Sequence, residues 1–153
     1  MVIIDTTNRF TRAIYRIKKA IKKEEYKIRV TVIGSDGMDV SDMEKYIPAN
    51  TKMIITGLQN HIDILAQDYA KSHSYETMYF LPHYYNDNDN RQELRLKQIE
   101  DLVRCGDMVI AFWDGSSEDI KYAVKCSKKW HIPIRVYKKV GQGLELFLKR
   151  GLI

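Results

Sequence analysis

The sequence lacks any apolar run that approaches the ~20 residues of a membrane-spanning helix, so we expect no insertion into a membrane. The amino terminus also lacks the charged and then apolar layout of a signal peptide, because residues 5–8 are polar and Arg9 follows them. Cysteine occurs only at Cys105 and Cys126, in neither a CxxC pair nor a disulfide-rich pattern, and we interpret both as buried thiols. Together these absences favour a cytoplasmic protein.

Catalytic and cofactor motifs are missing as well. The chain contains no GxGxxG fingerprint, no Walker loop with its lysine, no GxSxG elbow and no HExxH arrangement. None of the four histidines has a partner at the i,i+4 spacing of a helical metal site: His61, His73, His83, His131. We therefore expect neither a metal nor a cofactor.

What is present fits one globular domain of 153 residues, with 44% hydrophobic and 29% charged residues. The net charge of +5 is concentrated near the amino terminus, at Arg9, Arg12, Arg16, Lys18, Lys19, Lys22, Lys23 and Lys27. A basic protein of this kind binds nucleic acid or a small anion such as a phosphate. Because the remaining chain is close to neutral, the charge belongs to one segment and not to the whole surface.

Residues 1–27 are predicted to contain an amphipathic helix of about 17 residues, with the basic side chains opposite an apolar stripe. The stripe comprises Phe10, Ala13, Ile14, Ile17, Ala20 and Ile21. We expect it to pack on the body of the domain or against a second subunit in a homo-oligomer. A nucleic-acid helix is less favoured, because only Tyr15 offers an aromatic ring near the basic face.

Beyond residue 27, short β-rich segments alternate with helical ones. The predicted strands are 28–33, 53–56, 77–81, 108–113 and 132–137, and the predicted helices are 41–46, 62–72, 92–104 and 118–130. Two of the strands are apolar on both faces. The pattern predicts an α/β, Rossmann-like domain over residues 28–139, with a mostly parallel five-stranded sheet and helices on both faces. Residues 140–153 are predicted to be a tail or a short helix at 144–148.

Ligands of such sheets bind beyond the carboxyl ends of the strands, where the strand order reverses. Gly34 and Ser35 form a tight turn there, in which the backbone is accessible and the hydroxyl can donate to a phosphate or sugar oxygen. Asp63 follows the second strand, and it either binds ribose hydroxyls or caps a helix. Tyr85 follows the third strand and either stacks on a base or packs within the protein.

The loop of Asp114, Gly115 and Ser116 precedes the helix at 118–130. Free amides at a helix start stabilise an anion, but the same loop is also explained by Ser116 or Ser117 capping the helix. The acidic residues of the first turn, Glu118 and Asp119, count against a phosphate placed directly on this helix end.

Residues 107–117 (Asp-Met-Val-Ile-Ala-Phe-Trp-Asp-Gly-Ser-Ser), followed by 132–137 (Ile-Pro-Ile-Arg-Val-Tyr), resemble the last third of a SLOG-superfamily domain. SLOG proteins are Rossmann-like and include the LOG phosphoribohydrolases, the DNA-processing protein DprA and small nucleotide-ligand-binding proteins. The resemblance covers residues 29–137 and is closest to the small stand-alone proteins of the DUF2493 type. It implies a nucleotide-type ligand at the strand ends.

The match to that family is uneven. Gly34, Ser35, Gly57, Asp63 and the cation Arg95 match, and Tyr85 lies near a tryptophan position of the pattern. The chain departs from the pattern at three places. Asp36 replaces an arginine of the family, Leu96 replaces an asparagine, and Asp119-Ile120 replaces a Gly-Thr pair. The Pro-Gly-Gly-x-Gly-Thr-x-x-Glu motif of the LOG enzymes, which holds phosphate and supplies the catalytic glutamate, is absent.

These departures predict a protein that senses or sequesters a nucleotide-derived small molecule without turning it over. A signalling nucleotide in bacterial or phage conflict is an example of such a ligand. The predicted ligand-binding residues are Gly34, Ser35, Gly57, Asp63, Tyr85, Arg95, Asp114, Gly115 and Ser116. One alternative is a nucleotide N-glycosidase, phosphoribohydrolase or deoxyribosyltransferase-like enzyme that uses Asp114 or Glu118 as its carboxylate. A second alternative is a nucleic-acid-binding module that uses the basic amino-terminal helix.

Overall fold

A computed structural model of the chain describes residues 26–80 and 91–151, together with Ala13 and Arg16, which are helical and exposed. The rest of the predicted amino-terminal stripe and Tyr85 lie outside the described residues. The described elements are β1 (Ile28–Gly34), a short 3₁₀ turn (Met43–Lys45), β2 (Thr51–Gly57), α1 (His61–Ser72), β3 (Glu76–Phe80), α2 (Arg91–Cys105), β4 (Met108–Trp113), α3 (Glu118–Lys129), β5 (Ile134–Val140) and β6 (Gly143–Arg150).

All six strands belong to one sheet with the order β3-β2-β1-β4-β5-β6. The pairs from β3 to β5 are parallel, and β6 is antiparallel to β5 at one edge. The prediction of a mostly parallel α/β sheet is therefore confirmed, whereas the predicted number of five strands is wrong. None of the helices in the described part of the chain is long and apolar enough to cross a membrane.

The sixth strand replaces the short helix predicted at residues 144–148. After the turn at Gly141 and Gln142 the chain reverses and pairs with β5 from Val140 back to Ile134. Leu144 then packs on one core and Leu148 on the other. The predicted helix at 41–46 is also wrong, since it shortens to one 3₁₀ turn; Pro48 restricts the residue before it and favours an early helix end.

Two apolar cores lie on opposite faces of the sheet because alternate residues of a strand point in opposite directions. Val30 and Phe112 contribute to the first core, beneath α1 and the segment between β1 and β2. Val109 and Ala111 contribute to the second core, beneath α2 and α3. The central strands are consequently buried on both sides, which explains their almost unbroken apolar sequences and confirms helices on both faces.

The order of the strands reverses beside β1. The chain moves outward from β1 to β3, and α2 then returns it to β4, on the other side of β1. With right-handed crossovers the outward connections cover one face and the return connections cover the other. The connections leaving β1 and β4 therefore diverge, and in sheets of this type the ligand binds near such a point, at the carboxyl ends of the strands.

Candidate functional site

The predicted glycines lie where the sequence placed them. Gly34 and Gly57 are the last residues of β1 and β2, and Gly115 follows β4 by two positions. Because the three strands are parallel neighbours, these glycines share one edge of the sheet. Gly34 also permits a close approach of α1, since a Cβ atom there would overlap the buried side chain of Ile62.

Ser35 joins the ends of β1 and β4. Its side chain is buried, and its backbone N–H donates to the Phe112 carbonyl oxygen at 2.9 Å. Its Oγ accepts from the Asp114 N–H at 3.1 Å. The hydroxyl that we expected to meet a ligand oxygen is thus engaged in holding two strand ends together at the point where the strand order reverses.

Asp114 organises the loop that leads into α3. Its Oδ1 accepts from the N–H of Ser116 at 2.9 Å, from the N–H of Ser117 at 2.8 Å and from the Ser116 hydroxyl at 3.3 Å. Ser117, the N-cap residue, makes no side-chain capping bond. Of the two interpretations left open for this loop, capping by the Ser117 side chain is not seen. The loop amides that an incoming anion would use already donate to the carboxylate of Asp114.

This arrangement predicts a pH dependence. The N–H groups of Ser116 and Ser117 hold the pKa of the Asp114 carboxyl below its usual range. A lowered pKa means that folding favours the ionised form, so the stabilisation is present above the unfolded pKa of about 3.9 and is lost as pH falls through the folded value. A side-chain carboxyl NMR titration is expected to give a lower midpoint in folded than in urea-unfolded protein, and equal midpoints would contradict these hydrogen bonds.

Asp63 caps α1. Its side chain is buried, Oδ1 accepts from the Thr56 hydroxyl at 2.8 Å, and Oδ2 accepts from the N–H groups of Gln59 at 3.0 Å and Asn60 at 3.3 Å. Asn60 in turn accepts from the Asp63 N–H, which completes a capping box. Of the two interpretations left open for Asp63, the structure supports the helix cap.

Arg95 lies on α2 at the same end of the sheet, but its charge is already paired. Its Nε donates to Asp119 at 3.1 Å, at the start of α3, and its side chain is only 16% exposed. A second guanidinium nitrogen donates to Gln98 at 2.8 Å. Gln98 also accepts from Gln59 and donates to the Phe80 carbonyl oxygen, so Arg95 belongs to a polar network that ties α2 to α3 and β3.

A cleft of about 540 Å³ opens at the same edge of the sheet, between the loop that follows β1 and the β5–β6 hairpin. β4 lies between β1 and β5 in the sheet, but neither β4 nor the loop that follows it contributes a lining residue. No predicted site residue within the described ranges lines it. Its lining residues are Gly37, Met38, Asp39, Ser41, Lys139, Gly141, Gln142, Gly143 and Leu144.

Sequence reasoning missed the hairpin half of this cleft. Gly141-Gln142-Gly143 follows a β-rich segment and precedes alternating leucines, and this pattern predicts a hairpin where a tail or short helix was expected.

On the opposite wall of the cleft, Asp39 lies 3.2 Å from the Nε2 atom of His61. The cleft thus combines backbone accessible at glycines, one lysine and several neutral or acidic hydrogen-bonding side chains, around an apolar base of Met38 and Leu144.

Comparisons with known proteins leave this chain without a family assignment. A scan against protein-family models finds no match, and a search of curated proteins finds none either.

Within residues 26–80 and 91–151, no three histidine, cysteine, aspartate or glutamate side chains are grouped as they are around a metal ion.

Proposed function

We propose that this chain binds a nucleotide-derived small molecule, without turning it over, in the cleft at the carboxyl ends of β1 and β5. The observation that carries the proposal is the position of the cleft: it opens at the carboxyl-end edge of the sheet, the edge at which doubly wound α/β sheets bind their ligands, and the loop after β1 forms one of its walls. A volume of about 540 Å³ falls within the range of small-molecule sites, roughly 300–1,000 Å³. The resemblance to SLOG-superfamily domains over residues 29–137 supports a nucleotide-type ligand.

The surroundings of Asp114 and Glu118, the two carboxylates that an enzyme would use here, favour binding without catalysis. Asp114 is occupied by the amides of its own loop, and Glu118 is exposed and paired with Lys121 at 3.1 Å. A glycosidase needs a carboxylate whose environment is tuned for proton transfer or nucleophilic attack on the sugar. Neither carboxylate lines the cleft, and Asp114 is held by the amides of its own loop.

Native mass spectrometry of the purified protein tests the proposal. We expect a bound mass that corresponds to a nucleotide or nucleotide fragment, and we expect no free base when the protein is incubated with nucleoside monophosphates. The absence of any small molecule after purification, together with no binding of the nucleotide panel in calorimetry, would contradict the binding function. Release of free base that disappears in Asp114→Asn would support the glycosidase instead.

A further inference from the structure

A phosphorylated ligand in the cleft needs a cation, and the cation that the sequence suggested is already engaged. Asp119 contacts the Arg95 guanidinium at 3.1 Å, and Gln98 accepts from a second nitrogen. Recruiting Arg95 to a ligand would break the ion pair with the partly buried Asp119 and remove one hydrogen bond of Gln98, and the loss of a partner is costly for a charged group. The positive charge of the site must therefore come from another residue.

Two adjacent lysines, Lys138 and Lys139, lie near the carboxyl end of β5, at the same edge of the sheet. Successive residues of a strand point to opposite faces, so Lys138 and Lys139 project to different sides. Within the described ranges, no carboxylate lies within ion-pair distance of either lysine. Both lysines are therefore candidates to bind the phosphate of a ligand. The contacts that each ammonium group makes decide between them.

The ammonium group of Lys138 is held by aromatic rings. It lies 5.5 Å from the centre of the Trp113 ring and 5.4 Å from that of Phe147, on the face covered by α3. A cation–π contact of this kind satisfies part of its charge and fixes its direction. Lys138 is therefore directed away from the cleft.

Lys139 is exposed and lines the cleft directly. It pairs with Leu144 across the hairpin, whose tip contains Gly141 with a positive φ of 60°. Nothing lies within 4 Å of the place where a Cβ atom of residue 141 would be, so an anion can approach the backbone of the tip closely. A lysine beside such accessible backbone is a common way to bind phosphate. On the facing wall Asp39 and Ser41 are suited to hydroxyl groups of a sugar.

We propose that Lys139, with the backbone of the β5–β6 hairpin tip, binds the phosphate group of the ligand, and that the ligand class is a nucleoside phosphate whose sugar faces Asp39 and Ser41. This assignment rests on the proposed function of the cleft. It places the recognition of phosphate on the hairpin that antiparallel β6 adds to the sheet, and gives Arg95 a structural role between α2 and α3.

Isothermal titration calorimetry with the four ribonucleoside 5′-monophosphates, their diphosphates and the corresponding nucleosides tests the assignment. Wild-type protein is expected to bind at least one nucleotide more tightly than its nucleoside. Lys139→Gln is expected to weaken that nucleotide about tenfold or more and to leave the nucleoside unaffected, because only a charge-assisted contact is removed. Lys138→Gln, the matched control on the other face, and Arg95→Gln are expected to change the affinity by no more than about twofold.

The outcomes separate the two proposals. If wild-type protein binds no member of the panel, the proposed function fails and the assignment fails with it. If the nucleotide binds equally well to wild type and Lys139→Gln, or if Arg95→Gln or Lys138→Gln weakens it instead, the function stands and the assignment of Lys139 is overturned. Equal affinity for a nucleotide and its nucleoside in wild-type protein also overturns it, because the phosphate is then not recognised. Because Lys139 is exposed, Lys139→Gln is expected to fold, and circular dichroism checks the fold of all three variants.

Discussion

Replacing Gly34 with alanine is expected to lower the free energy of unfolding by about 3 kcal/mol, through overpacking at the junction of β1 and α1. A Cβ atom at this position would lie within about 2.6 Å of three carbons of the Ile62 side chain. Ile62 is fully buried, and one of those carbons is its own Cβ, which cannot move without shifting the helix. Urea unfolding followed by circular dichroism measures the change.

Gly143→Ala is the matched control for this substitution. The nearest atom to a Cβ at Gly143 is the Val140 carbonyl oxygen at 3.9 Å, an ordinary contact, so we expect the stability of this variant to be nearly that of wild type. If Gly34→Ala and Gly143→Ala unfold at the same urea concentration, the close packing of α1 on the end of β1 is contradicted.

Asp63→Ala is expected to destabilise the protein by about 3 kcal/mol, because it removes a buried acceptor of three hydrogen bonds and one half of a capping box. The Thr56 hydroxyl and the amides of Gln59 and Asn60 lose this partner. Thermal and urea unfolding give the loss of stability, and loss of helix content near α1 is expected to accompany it.

Asp68→Ala, on the same helix, provides the comparison. Asp68 is exposed, and a surface substitution of this kind changes stability by at most about 0.5 kcal/mol. Equal stability of Asp63→Ala and wild type would show that the carboxylate is not needed to start α1, and would return Asp63 to the residues available for a ribose.

The parallel part of the sheet was predictable because its strands carry their own signal. Segments such as 108–113 are apolar at every position, and this pattern arises only where both faces are covered. β6 carries a weaker signal, because leucines at 144, 146 and 148 within a short charged segment suit a strand or a helix. The glycines at 141 and 143 favour a hairpin, and pairing with the edge of β5 then makes the segment a strand.

The edge of the sheet at which the cleft opens was predictable, whereas the residues that line the cleft were not. Glycines at strand ends identified the edge of the sheet, since the carboxyl ends of parallel strands meet there. The roles of Ser35, Asp63 and Asp114 were not predictable, because a hydroxyl or carboxylate beside a helix start serves a ligand and a backbone amide equally well. Only the distances show that these three groups already have partners within the fold.

The cleft is built from segments that lie near opposite ends of the described chain, the loop after β1 and the hairpin between β5 and β6. Contacts between residues so distant in sequence carry a large entropy cost, since forming them closes a long loop of the chain. A nascent chain that ends before the hairpin can complete the pairing of β1 with β2 and β4 and still have no cleft. Occupancy of the cleft would then report that the last strand has joined the sheet, and a ligand that binds only this state would stabilise the complete fold by mass action.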